Sequence, residues 1–124
     1  RAPSYRPMVE IQGHRGFGNL EPHNTLRAFR AAATHVGVKS VEFDVQRSSD
    51  SHLVVSHGAE HGASAVPSQS LAELQSTDLG HGEKVPLLAD VVDVCKDGGL
   101  IMNVELKTAD PDVVKATLAI LREK

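Results

Sequence analysis

The chain has 124 residues, enough for one domain, and its 40% hydrophobic and 23% charged content excludes an intrinsically disordered polymer. A net charge of −3 without any Lys/Arg run argues against nucleic acid or an anionic membrane surface as a primary partner. One cysteine excludes an intrachain disulfide, and the absence of Trp leaves the core to Val, Leu, Ile and Ala.

Residues 1–8 are polar and carry Pro3 and Pro7, so an extended lead-in is expected before a single domain over 9–124. No apolar stretch approaches the roughly 20 residues of a membrane span, and the opening lacks a hydrophobic signal core. The expectation is a cytoplasmic protein, with its true start upstream because residue 1 is not Met.

"VEIQGH" (9–14) alternates and predicts a first strand, broken by the glycines of "GHRGFGN". "PHNTLRAFRAAATHVG" predicts a helix capped by Asn24 or Thr25, with an apolar stripe of Leu26, Phe29, Ala33 and Val36 and a stop at Gly37. A second strand is expected over 38–46, a turn at "SSDS" (48–51), and a short strand over 52–57. "GAEHGASAVPSQS" reads as an exposed loop and "SLAELQS" as one or two helical turns. "LLADVVDVCK" predicts a helix that buries Leu88, Val91, Val92 and Cys95 and ends at Gly98-Gly99. "LIMNVELK" (100–107) is a strand. A last helix opens at Asp110 and Pro111 with Val114, Leu118 and Leu121 inward. Strands alternating with helices imply parallel βα units.

The period of two along the strands places Gln12 with His14, Glu42 with Asp44, and Asn103 with Glu105 and Lys107. His57 ends its strand. Polar residues therefore gather toward the C-terminal ends of strands, where parallel α/β proteins and barrels carry their sites. Three carboxylates from two strands suit a hard divalent cation, Ca²⁺ or Mg²⁺. His14 and His57 are available as acid and base, and Arg15 and Lys107 can neutralise an anionic substrate such as a phosphate. From "VEFDV" (41–45) alone, a half-wet strand is the simpler reading. Cys95 is expected in the core, and His35, His52, His61 and His81 at the surface.

Taken in order, "GHRG", "P-x-NTLRAF", "VEFDVQ", "LVVSH" and "NVELK" resemble the glycerophosphodiester phosphodiesterase family over about residues 9–107. The resemblance implies a (β/α)₈ TIM barrel, of which this chain holds the first three to four strands. It implies hydrolysis of glycerophosphodiesters to glycerol 3-phosphate and an alcohol, with His14 and His57 as catalytic histidines. Arg15 and Lys107 become phosphate contacts, and Glu42, Asp44 and Glu105 the ligands of Ca²⁺ or Mg²⁺. The sequence departs from the family pattern at His23 and Gly58, where Glu and Asp are usual, and at Ser51, where Gly is usual. A full barrel needs about 250 residues, so self-association or a missing C-terminal half-barrel is expected. Two other functions stay open: an inactive barrel fragment serving in binding or assembly, and lysophospholipase D-type activity on lysophospholipids.

Overall fold

A computed structural model describes residues 10–18, 20–58 and 65–124. The lead-in, Val9, most of the loop after Gly58, and His61 lie outside the described residues. The elements in chain order are β1 (Ile11–His14), α1 (Leu26–Thr34), β2 (Val38–Arg47) and β3 (Leu53–Val55), then α2 (Leu71–Leu74), α3 (Leu88–Asp97), β4 (Ile101–Leu106) and α4 (Pro111–Glu123). Among the described residues no helix is long and apolar enough to cross a membrane.

β2 is the organising strand. β1 and β4 pair with it in parallel, with His14 beside Glu42, Glu42 beside Asn103, and Asp44 beside Glu105. The expected βα alternation holds for these three strands. β3 departs from it, pairing antiparallel with the C-terminal end of β2 as the return arm of a hairpin. The physical cause is the short "SSDS" turn, because a parallel return needs a crossover of a dozen residues. Successive backbone carbonyls point to opposite edges of a strand. Asp44 C=O accepts from Ser56 N–H at 2.9 Å, whereas Val45 C=O accepts from Lys107 N–H at 3.4 Å. β3 therefore extends the edge that β1 occupies, and β4 takes the other.

One face of this sheet is dry. Val41, Phe43 and Val45 are fully buried and cluster with Phe29 of α1, with Leu88, Val91, Val92 and Cys95 of α3, and with Val113 of α4. Phe29 and Phe43 meet edge to face with ring centroids 5.4 Å apart, the arrangement their quadrupoles favour. Every residue of the predicted α3 stripe is in this core. Burial pushes the Cys95 thiol up to about 12. A smaller cluster of Val54, Val66, Leu74 and Val85 holds the segment after β3 against the hairpin.

Three expectations shift. α1 stops at Thr34, three residues before Gly37, because His35 is extended and its Nδ1 accepts the Gly37 N–H at 3.2 Å. Val36 consequently faces solvent at 89% exposure instead of completing the stripe. α4 is rotated by about one residue, burying Val113 and Thr117 and leaving Leu118 exposed. Val113 packs into the core of β2 and α3, and partly exposed ion pairs stand at the helix ends, Arg47–Asp110 at 3.2 Å and Asp93–Lys124 at 3.1 Å. β3 is also shorter than expected, and His57 lies two residues beyond it.

The hairpin turn carries local strain. Ser51 sits at φ +68, a region where a Cβ is unfavourable and glycine is at ease. In urea unfolding, Ser51→Gly is expected to raise stability by about 0.5–1 kcal/mol. Phe43→Ala should lower it by about 3–5 kcal/mol. Equal midpoints for Phe43→Ala and the wild type would contradict the packing described.

Candidate functional site

The other face of the sheet is polar because the strand period sends every second side chain there. Across β1, β2 and β4 its first row is Gln12, Ser40 and the exposed Ile101, its second His14, Glu42 and Asn103, and its third, on β2 and β4, Asp44 and Glu105. Ser40 is small and buried. Gln12 Nε2 donates to Ser40 Oγ at 3.2 Å, and Gln12 Oε1 accepts from Asn103 Nδ2 at 3.5 Å across β2.

Glu42, Asp44 and Glu105 each offer a carboxylate oxygen, and these oxygens lie within 4.8 Å of one another. Burial falls across the group: Asp44 is 1% exposed, Glu42 half-buried, and the Glu105 side chain 55% exposed. Three like charges this close require cations. Lys107, one residue past β4, places Nζ 3.4 Å from Asp44 Oδ1 and 3.1 Å from Glu105 Oε1. Arg15 Nε lies 3.7 Å from Asp44 Oδ2, close enough for attraction but beyond a hydrogen bond. His14 Nε2 is 3.8 Å from Glu42 Oε1, which also accepts the Arg15 backbone N–H at 3.2 Å.

The β1–α1 connection folds tightly to bring His14 and Arg15 here. Gly13 has no room for a side chain, since an added Cβ would run into the Gly16 carbonyl oxygen. Gly16 itself sits at φ +100 against Ala28. Thr25 caps α1, its Oγ1 accepting from the Ala28 N–H at 3.2 Å, so Asn24 is not the cap. Asn24 turns inward instead, and its Nδ2 donates to Asp44 Oδ2 at 3.2 Å. Sequence reasoning missed this contact, because an Asn before a helix reads first as a cap. His23 Nδ1 lies 3.5 Å from the Arg15 guanidinium, and its ring meets that of His14 edge-on with centroids 6.0 Å apart.

Six of the seven predicted site residues thus form one connected group: His14, Arg15, Glu42, Asp44, Glu105 and Lys107. His57 follows Ser56, whose N–H is bound to the Asp44 carbonyl. Among the described residues no hydrogen bond or ion pair ties its ring to the group, and its Nδ1 is buried without a partner. The next residue, Gly58, adopts φ +106, a backbone that an Asp there would rarely accept. His35, His52 and His81 are exposed, as expected.

The donor set fits a hard cation. Ca²⁺–oxygen distances of about 2.3–2.6 Å put opposite ligands roughly 5 Å apart, which matches the spread of the carboxylate oxygens. The hydrogen bond to Glu105 is the main cause holding the Lys107 ammonium above the ordinary lysine range, and Asp44 adds to it. A raised lysine pKa contributes stability that is complete below the unfolded value of 10.5 and lost as pH climbs through the folded value. Amine acylation followed by mass spectrometry at pH 9 is expected to modify Lys107 more slowly than Lys115, with Glu105→Gln removing part of the difference. Equal rates in both proteins would contradict that assignment.

Comparison with known proteins gives a consistent result. The model of the glycerophosphoryl diester phosphodiesterase family matches residues 14–120. A glycerophosphodiester phosphodiesterase from Caldanaerobacter subterraneus subsp. tengcongensis is 33% identical over 110 residues, 79% of this chain and 45% of that protein. One from Bacillus altitudinis is 31% identical over 115 residues, 82% of this chain and 46% of that protein. The chain therefore spans about half the length of the curated relatives it matches. Among solved structures, an Oleispira antarctica phosphodiesterase in complex with the product sn-glycerol-3-phosphate superposes with TM-score 0.82 at 28% identity, over 93% of this chain and 52% of that one. A Thermotoga maritima glycerophosphodiester phosphodiesterase gives 0.73 at 31% identity, over 97% of this chain and 52% of that one.

Proposed function

The chain belongs to the glycerophosphoryl diester phosphodiesterase family as a partial TIM barrel, and from that premise we propose that its polar sheet face serves the hydrolysis of glycerophosphodiesters to glycerol 3-phosphate and an alcohol. The observation that carries the reading is the convergence of Glu42, Asp44 and Glu105 within 4.8 Å, flanked by Arg15, Lys107 and His14. The relative solved with sn-glycerol-3-phosphate supports the same product class.

Glu42, Asp44 and Glu105 are the residues that would hold a divalent cation, Ca²⁺ or Mg²⁺, since both take carboxylate oxygens. A bound cation supplies Lewis-acid polarisation and screening of phosphate charge. The protein's own groups do the rest. Lys107 and Arg15 bind the phosphodiester oxygens, both reaching the carboxylate group from the ends of β4 and β1. An oxygen nucleophile forms a new bond to phosphorus while the bond to the leaving alcohol breaks. Of His14 and His57, one takes the proton of the attacking hydroxyl and the other returns a proton to the departing alkoxide. His14 reaches the face from β1, and the segment carrying His57 runs beside the C-terminal end of β2.

A fragment that binds without turning over remains a second reading. It is favoured by the half-length match and by His57 standing outside the connected group.

Calorimetric titration of the chain with Ca²⁺ is expected to show binding that Asp44→Ala abolishes; equal affinity in the variant refutes the cation site. Glycerophosphocholine with Ca²⁺ should release glycerol 3-phosphate, and His14→Ala should slow release by about 10²–10⁴-fold. Tight cation binding without turnover would assign the chain to binding or assembly.

A further inference from the structure

We propose that Asn24 is the positioning residue of the cation centre, its side-chain amide fixing the Asp44 carboxylate while its backbone fixes Arg15. The proposal rests on the reading of Glu42, Asp44 and Glu105 as a cation site. Asn24 is 1% exposed and sits at φ +56, in the left-handed region that glycine occupies most easily. Its Nδ2 donates to Asp44 Oδ2 at 3.2 Å, but its Oδ1 is buried with no partner among the described residues. A buried carbonyl without a donor is destabilising, while the left-handed backbone is one that Asn tolerates better than most residues with a side chain.

Folding alone does not select such a residue. Thr25 already caps α1, so the helix does not need the Asn24 side chain. Glycine would take the same backbone without the stranded oxygen. Nor does turning the amide over relieve it, because Oδ1 would then face Asp44 Oδ2, acceptor against acceptor. The carboxylate dictates the orientation, and the stranded carbonyl follows from it. A buried polar atom left unsatisfied so that its neighbour can hold a carboxylate is the kind of cost that marks a functional position.

The contacts close a circuit. The Asn24 N–H donates to the Arg15 carbonyl at 2.8 Å, and Arg15 is itself at φ +50. The Arg15 N–H donates to Glu42 Oε1 at 3.2 Å. Glu42 and Asp44 sit two residues apart on β2, so the loop runs Glu42, Arg15, Asn24, Asp44 and back along the strand. Two carboxylates of the candidate centre are thereby aimed by one connection between β1 and α1. Partners of this kind orient ligating carboxylates, and their loss costs about 10–100-fold in metal affinity.

The test is Asn24→Gly, which tolerates the backbone, keeps the N–H to Arg15 and removes only the amide. Calorimetry with Ca²⁺ is expected to show affinity reduced by about tenfold or more. The cation-free variant is expected to stay folded, with some loss of melting temperature because Asp44 loses one donor. A purely structural residue gives affinity within twofold of wild type whatever the melting temperature, and that result overturns the proposal. In ¹⁵N-labelled wild-type protein, the Asn24 side-chain resonance, assigned by its disappearance in Asn24→Gly, should move on addition of Ca²⁺. A resonance that stays in place overturns the role of Asn24 even where the variant folds poorly. A wild-type chain that binds neither Ca²⁺ nor Mg²⁺ overturns the cation reading together with this one. Wild-type binding that Asn24→Gly reproduces overturns this one alone.

Discussion

The structure depends on the repulsion built into β2. Glu42 and Asp44 share one face of a strand whose other face, Val41, Phe43 and Val45, is sealed against three helices. The dry face fixes the register of the strand, because a slip of one residue would drive both carboxylates into the apolar core. Once the register is fixed, the charges have no freedom to separate. Their neighbours answer them: Arg15 from the end of β1, Lys107 from the end of β4, and the amide of Asn24 from the loop before α1. Hydrophobic packing on one side of the sheet thus creates the electrostatic problem that the other side is arranged to resolve.

That division explains what was legible in the sequence. The alternation of "VEFDV" and "NVELK" gave both the strands and the face their charges share, since a period of two survives any tertiary detail. The α3 stripe was equally readable, with Leu88, Val91, Val92 and Cys95 at helical spacing and no rival face. α4 was not, because Val113 and Val114 both begin apolar rows. The packing of Val113 against the core of β2 and α3 accompanies the choice of row. Such long-range packing leaves no local signature.

The candidate site divides in the same way. Strand geometry shows which residues share a face, although "VEFDV" alone reads more simply as a half-wet strand. The Asn24 contact arises instead in a loop whose path depends on left-handed backbone at Arg15, Asn24 and Gly16. Periodicity says nothing about loops. The antiparallel β3 was also hidden, since its composition is that of any short strand. Only the shortness of the turn before it, read against the reach of a crossover, shows which way it must return.

Cys95 has a consequence for reactivity. Burial raises its thiol to about 12, so little of the reactive thiolate forms near neutral pH. The sulfur acts as a core atom, packed between helix and sheet and closed to exchange or alkylation while the fold stands.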